Sequence, residues 1–163
     1  METGTQSRVL PEQDPSAQHV TLQLDGALVT AIVEHLRASL PTEGCGVLAV
    51  RLNADGTAVA TRFYPGTNVD ASPTRYTMAP VEVLAAFRDL DAHGWTLGAI
   101  VHSHPATPPT PSPTDLREAF YPEALMVIVS FVATPPSMRA WRLSTSAPPR
   151  VATEVPIVLP EGA

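Results

Sequence analysis

Cysteine is nearly absent from this 163-residue chain: Cys45 stands alone, so no internal disulfide can form, and the composition suits a reducing compartment. Long apolar runs are missing too, and nothing approaches the ~20 consecutive apolar residues that a membrane-spanning helix needs. The first ten residues, Met1 to Leu10, hold neither a basic start nor an apolar stretch, so no secretory signal is visible. The expected location is the cytoplasm, with no membrane partner. Charge is sparse at 16%, the net charge is −6, and no basic patch offers itself to a phosphate backbone; nucleic acid is not an expected partner. No internal repeat is visible. Proline, by contrast, is abundant: 18 residues, gathered at 105–113, at 135–136 and between 148 and 160, punctuate the loops and the C-terminal end. The 105–113 stretch is expected to be extended and stiff, and reads equally well as the lining of an approach to a site or as a plain connector.

The length sets an expectation of one domain, and 44% hydrophobic residues fit a soluble globular chain with an ordinary core. Residues 1–18 are polar without periodicity and read as a disordered N-terminal tail, 19–145 as the folded domain, and 146–163 as a Pro-rich C-terminal tail. Apolar residues at helical spacing predict a helix over 27–38, capped by Asp25 and ended by Pro41. Strands are expected over 46–52 and 57–64, joined by the hairpin signal Asn53-Ala-Asp-Gly56. A loop over 65–74 and a short strand over 75–78 follow, then a helix opened by Pro80 and stopped at Gly94. The remaining elements are a strand over 95–101, a short helix over 113–120, a continuous apolar strand over 124–132, an edge strand over 138–144, and a further strand or a surface wrap over 150–159. Helices and hairpins in this mixture predict an α/β or α+β three-layer arrangement.

The chemistry concentrates in one segment. His102-x-His104 continues the apolar strand, and Ser112-x-x-Asp115 follows after seven residues. Alternate side chains of a strand share a face, which places the two imidazoles roughly 6 to 7 Å apart along the backbone. Both can then converge on one zinc ion, whose bonds to nitrogen are about 2.0 to 2.1 Å. If the Pro-rich loop folds back, Asp115 supplies a third ligand, leaving the fourth tetrahedral position for water, the pattern of a catalytic site. His-x-His also suits an ordinary edge pair. Ser112-Pro113-Thr114-Asp115 likewise reads as a helix start, with Ser at the N-cap, Pro at the first position and an acid three residues on. That second reading is compatible with ligation, because a first turn fixes Asp115 and favours its anion.

The full string, His-Ser-His, seven residues, Ser, two residues, Asp, resembles the JAMM motif of the MPN+ (JAB) zinc metalloproteases, in its prokaryotic single-domain form. The likeness continues through Pro41-Thr-Glu-Gly-Cys-Gly46, Asn68-Val-Asp-Ala-Ser-Pro-Thr-Arg-Tyr-Thr-Met78, Tyr121-Pro-Glu-Ala-Leu125 and Ala140-Trp-Arg-Leu143, so it covers 20–145. It implies an MPN/JAB domain, a curved, mostly antiparallel mixed sheet flanked by helices and similar to cytidine deaminases. It implies Zn2+ held by His102, His104 and Asp115, with Glu43 as the carboxylate that moves protons and Ser112 as the oxyanion donor. The implied activity is hydrolysis of a peptide or isopeptide bond after the C-terminal Gly-Gly of a ubiquitin-like or sulfur-carrier protein. The loop with Asn68, Ser72, Arg75 and Tyr76 is the expected surface for the extended substrate tail, by addition beside an exposed strand. A homodimer is left open.

Two rival classes stay in view. A non-catalytic MPN scaffold would lack one or more ligands, which are all present here. A deaminase-like enzyme would need His-x-Glu and Pro-Cys-x-x-Cys, and a single Cys45 excludes that set. Cys45 itself reads as a small buried residue, Ser103 as structural on the opposite face of its strand, Glu34 as solvated surface, and His19, His35 and His93 as ordinary surface histidines.

Overall fold

A computed structural model describes residues 21–162. The expected tail 1–18 and His19 lie outside the described residues. Two hairpin strands, β2 (Cys45–Leu52) and β3 (Thr57–Gly66), pair antiparallel, and β2 pairs on its other side with β4 (Thr96–His104), also antiparallel. The parallel neighbour of β4 is β5 (Leu125–Ser130), followed outward by the antiparallel β6 (Ser137–Leu143) and β7 (Ala152–Val155). Beyond β3 lie β1 (Thr21–Gln23) and β8 (Ile157–Val158), both paired in parallel. The order is β7-β6-β5-β4-β2-β3-β1-β8. Register shifts at Ala49/Val50 and Leu48/Ala49 bend the central strand, as bulges do.

Helix α1 (Gly26–Ser39) starts at Asp25, whose carboxylate accepts from Leu28 N–H at 2.8 Å, and ends before Pro41. It buries Ile32 and Leu36 completely against Leu22, Leu48, Val101 and Val127. Each such side chain contributes roughly 1.5 to 3 kcal/mol by leaving water. Helix α2 (Pro80–His93) begins with the expected proline and ends at Gly94 in the left-handed conformation, φ 65°. Helix α3 (Pro113–Glu118) is one and a half turns long and lies with α2 over the other face of the sheet, where Met126, Ile128 and Leu143 pack with Leu116 and Ala119.

Three features differ from expectation. Residues 75–78 form no strand; a single bridge, Asn68 to Met78, closes the loop instead. The C-terminal segment, expected as a Pro-rich tail with a further strand or a surface wrap over 150–159, contributes two strands, β7 and β8, with only Pro156 between them, although these lie at opposite ends of the sheet order. One residue spans at most ~3.6 Å, so the two sheet edges meet there and the sheet curls back on itself. His35 is half-buried: its Nε2 lies 2.9 Å from Cys45 O and 3.1 Å from Gly66 O, bracing the start of β2 against the end of β3.

Candidate metal centre

Alternation along β4 puts Ala99, Val101 and Ser103 on the α1 side and His102 and His104 on the side of α2 and α3. The chain then leaves the strand and is pinned as it returns. His104 Nδ1 lies 2.7 Å from Pro108 O, Ser130 Oγ donates to Thr107 O at 2.6 Å, and Trp141 Nε1 donates to Pro109 O at 2.9 Å. The Pro-rich stretch is thus an anchored return path. It delivers Ser112 to the N-cap of α3, where a reciprocal capping box forms: Asp115 N–H donates to Ser112 Oγ at 3.0 Å and Ser112 N–H to Asp115 Oδ2 at 2.8 Å.

His102 Nε2, His104 Nε2 and Asp115 Oδ2 form a nearly equilateral triangle with edges of 3.2, 3.1 and 3.3 Å, and all three residues are buried. Ligands about 2.0 to 2.1 Å from a tetrahedral zinc would stand about 3.3 Å apart, so the donor set fits that ion. Tautomer chemistry agrees. With its Nδ1–H donating to Pro108 O, His104 keeps Nε2 for the triangle: in the metal-free protein a protonated Nε2 donates to Asp115 Oδ2, and loss of that proton would free a lone pair for a cation between them. Burial alone would raise the Asp115 carboxyl, but hydrogen bonds from His102, His104 and Ser112 N–H hold it well below the usual carboxylate range. Burial alone would lower His104, yet Asp115, Pro108 O and Glu43 outweigh it and raise it. The ring of Tyr76 stacks on His102 with centroids 4.6 Å apart, and His102 Nδ1 has no partner among the described residues.

Glu43 sits at the junction of α1 and β2, only 4% exposed. Burial and then the Asp115 carboxylate push it up to about 7, against a downward pull from His104. Its backbone is held on two sides: Glu43 N–H donates to Ser72 O at 2.8 Å and Asn68 Nδ2 donates to Glu43 O at 2.9 Å. The next residue, Gly44, donates N–H to Ser103 Oγ at 2.8 Å and accepts from Ser103 N–H at 3.1 Å. Ser112 is half-buried, and the cap uses only an acceptor position of its hydroxyl, leaving the proton free to donate.

In the loop named for substrate, Arg75 is exposed and pairs with Glu118 of α3, Ser72 is half-buried and turns its hydroxyl to Thr74 N–H, and Tyr76 covers His102. Asn68 instead spends both donors, on Glu43 O and Arg75 O, and accepts from Asp70 N–H and Thr77 N–H. The strand period places Ser103 on the core side, but nothing in the sequence says that Asn68 and Ser103 grip the Glu43 turn. A largely apolar cleft of about 930 Å³ opens beside Asp115 and Tyr76, walled by Val83, Phe87, Phe120 and Met126. Cys45 lines it with a thiol that burial and neighbouring carboxylates push up to about 12. Among the described residues no helix is long and apolar enough to cross a membrane.

Comparison with known proteins gives consistent results. The family model Prok-JAB, prokaryotic homologs of the JAB domain, matches residues 26–144. CysO-cysteine peptidase of Mycobacterium tuberculosis is 40% identical over 103 residues, 63% of this chain and 68% of that protein. A probable TtuB-protein conjugate cleaving protease of Thermus thermophilus is 36% identical over 107 residues, covering 64% and 68%. The solution structure of protein DSY2949 from Desulfitobacterium hafniense superposes with a TM-score of 0.76 at 33% identity, covering 86% of this chain and 94% of that one.

Proposed function

Because the chain belongs to the family of prokaryotic JAB-domain homologues, we propose that it is a zinc metallopeptidase that hydrolyses the bond following the C-terminal Gly-Gly of a sulfur-carrier or ubiquitin-like protein. The observation that carries the zinc assignment is the triangle of His102 Nε2, His104 Nε2 and Asp115 Oδ2, with edges of 3.1 to 3.3 Å. Zinc bound there would act as a Lewis acid, polarising the scissile carbonyl and bringing water toward a pKa of about 7. Glu43 Oε2, buried and without a partner among the described residues, takes a proton from the attacking water and returns it to the leaving amine. Its burial beside the triangle keeps bulk water from competing for that proton. Ser112 Oγ–H donates to the developing oxyanion, a contact whose loss typically costs a few kcal/mol. Tyr76 shields one face of His102 from water, and Asp115, locked in its capping box, orients toward both imidazoles.

The apolar cleft and the loop above it are the surface offered to the extended tail of the carrier, with Arg75 and Tyr76 at its rim and Ser72 beside them. Asn68, with every hydrogen-bonding position used, leaves substrate contact to these neighbours. A non-catalytic scaffold is disfavoured by the complete set of ligands and the adjacent buried carboxylate.

The test is zinc content by elemental analysis together with cleavage of a carrier protein extended beyond its Gly-Gly, for the native protein, His104→Ala and Glu43→Gln. The expected result is about one zinc per chain in the native protein, loss of zinc and activity in His104→Ala, and retained zinc with activity lowered about 10²- to 10⁴-fold in Glu43→Gln. Full activity in Glu43→Gln would remove it from the proton-transfer role.

A further inference from the structure

No hydrogen bond among the described residues reaches Oε2 of Glu43, so this buried carboxylate is held by its packing and by the backbone it hangs from. The backbone of residues 43 and 44 thus sets where that side chain starts. That backbone is gripped from two directions. On one side the loop over 67–79 supplies Ser72 O to Glu43 N–H and Asn68 Nδ2 to Glu43 O. On the other, Ser103 of β4 exchanges two hydrogen bonds with Gly44, one through its hydroxyl and one through its main chain. Ser103 stands between the two candidate histidine ligands, so one strand segment sets both imidazoles and the root of the proton carrier.

We propose that Asn68 and Ser103 are positioning residues that form a two-sided backbone clamp, holding the Glu43 carboxylate against the His102, His104 and Asp115 triangle. The proposal rests on the assignment of Glu43 as proton carrier. Asn68 suits the task because its amide is saturated: its two donors tie Glu43 O to Arg75 O, and its two acceptor positions hold the Asp70 and Thr77 amides, so the loop and the Glu43 turn are one unit. Ser103 is fully buried among Val101 and Val129 on the core side of the sheet, where a hydroxyl is costly unless it is bonded. Its bond to Gly44 N–H gives that hydroxyl its reason for being in the core. Misplacing a reacting group by about 1 Å can cost roughly 10²-fold in rate, which is the scale on which such a clamp acts.

The two ends of the clamp can be cut separately. Asn68→Asp keeps both acceptor positions toward Asp70 and Thr77 and loses both donors, severing the bonds to Glu43 O and Arg75 O. Ser103→Ala removes the acceptor of Gly44 N–H without adding volume. For each variant we would measure amide hydrogen exchange, zinc stoichiometry, and kcat and KM on a sulfur-carrier protein carrying one residue beyond its Gly-Gly. The expected result is exchange at Glu43 and Gly44 faster by about 10-fold or more with the rest of β2 and β4 protected, zinc retained, kcat lowered roughly 10- to 100-fold, and KM within about 2-fold of native. Unchanged exchange overturns the clamp, as does faster exchange with native kcat. A raised KM at constant kcat in Asn68→Asp assigns that residue to substrate binding and also overturns it. If the native protein cleaves no such carrier, the functional assignment fails on its own account, and the clamp is decided by exchange alone. Should Asn68→Asp fail to fold, Ser103→Ala carries the test.

Discussion

A carboxyl buried with no partner for Oε2 among the described residues resists ionisation, so Glu43 couples the stability of the metal-free protein to pH. Its ordinary value of 4.5 applies to the unfolded chain, and about 7 to the folded one. Between these values the unfolded chain releases a proton that the folded chain keeps, so stability falls as pH rises, and above pH 7 the whole cost is present, up to about 3 kcal/mol. Glu43→Gln removes that dependence. In thermal melts of metal-free protein the variant should exceed the native Tm at pH 8 by several degrees and approach it at pH 5; an equal difference at both pH values would show that Glu43 ionises freely. At this scale much of the site can be read in the sequence. His102 and His104 share a strand face by simple alternation, and Asp115 sits where a capping box fixes it. Glu43 cannot be read that way, because a helix, a hairpin and a loop separate it from the ligands and no local period relates them; only the likeness to a family motif points to it. Asn68 is harder still, since a turn-forming residue announces a loop and not the carbonyl its amide will reach.

Helix α1 meets the site through one close approach. A Cβ on Gly44 would stand 2.8 Å from Leu36 Cδ2, 2.9 Å from Ser39 Oγ and 3.1 Å from Leu36 Cα. The last of these belongs to the helix backbone and cannot turn aside. Gly44→Ala should therefore push the Glu43 turn and α1 apart, costing about 1 to 3 kcal/mol in denaturant unfolding. Zinc stoichiometry of the same variant shows how far the shift travels: Gly44 is hydrogen-bonded to Ser103, between two of the candidate ligands, and retained zinc is expected if α1 takes up the displacement. The major elements follow the sequence closely: Asp25, Pro80, Gly94 and Ser112 each stand at the helix boundary that their chemistry predicts. The departures have physical causes. β1 is three residues long and paired in parallel with distant partners, so no local turn or period marks it. Residues 75–78 look extended, but their neighbour Asn68 closes a loop through its side chain before a second strand can form. His35 reads as surface by its charge class, yet its ring reaches two strand carbonyls that only the tertiary fold brings together.

In the whole molecule, the stretch from Ala152 to Val158 completes both edges of the sheet at once. Proline-rich composition makes this stretch look like a tail, because proline cannot donate to a ladder; Pro156 is tolerated as the pivot between β7 and β8, where its carbonyl still accepts from Leu22 N–H at 2.9 Å. Val155 is buried in the main core. Removing residues 151–163 should expose β6 and β1 as unpaired edges, and unpaired edges template association between chains. Size-exclusion chromatography should show the truncated protein shifting to larger, heterogeneous species relative to the full chain; an unchanged elution profile would mean that the remaining strands protect their own edges. The joined edges also bear on the order in which the protein comes into being. Synthesis runs from the N-terminus, so every residue assigned to the site, from Glu43 to Asp115, leaves the ribosome before the strand that seals the sheet. A nascent chain thus carries every residue proposed for the site while β1 still lacks its partner β8.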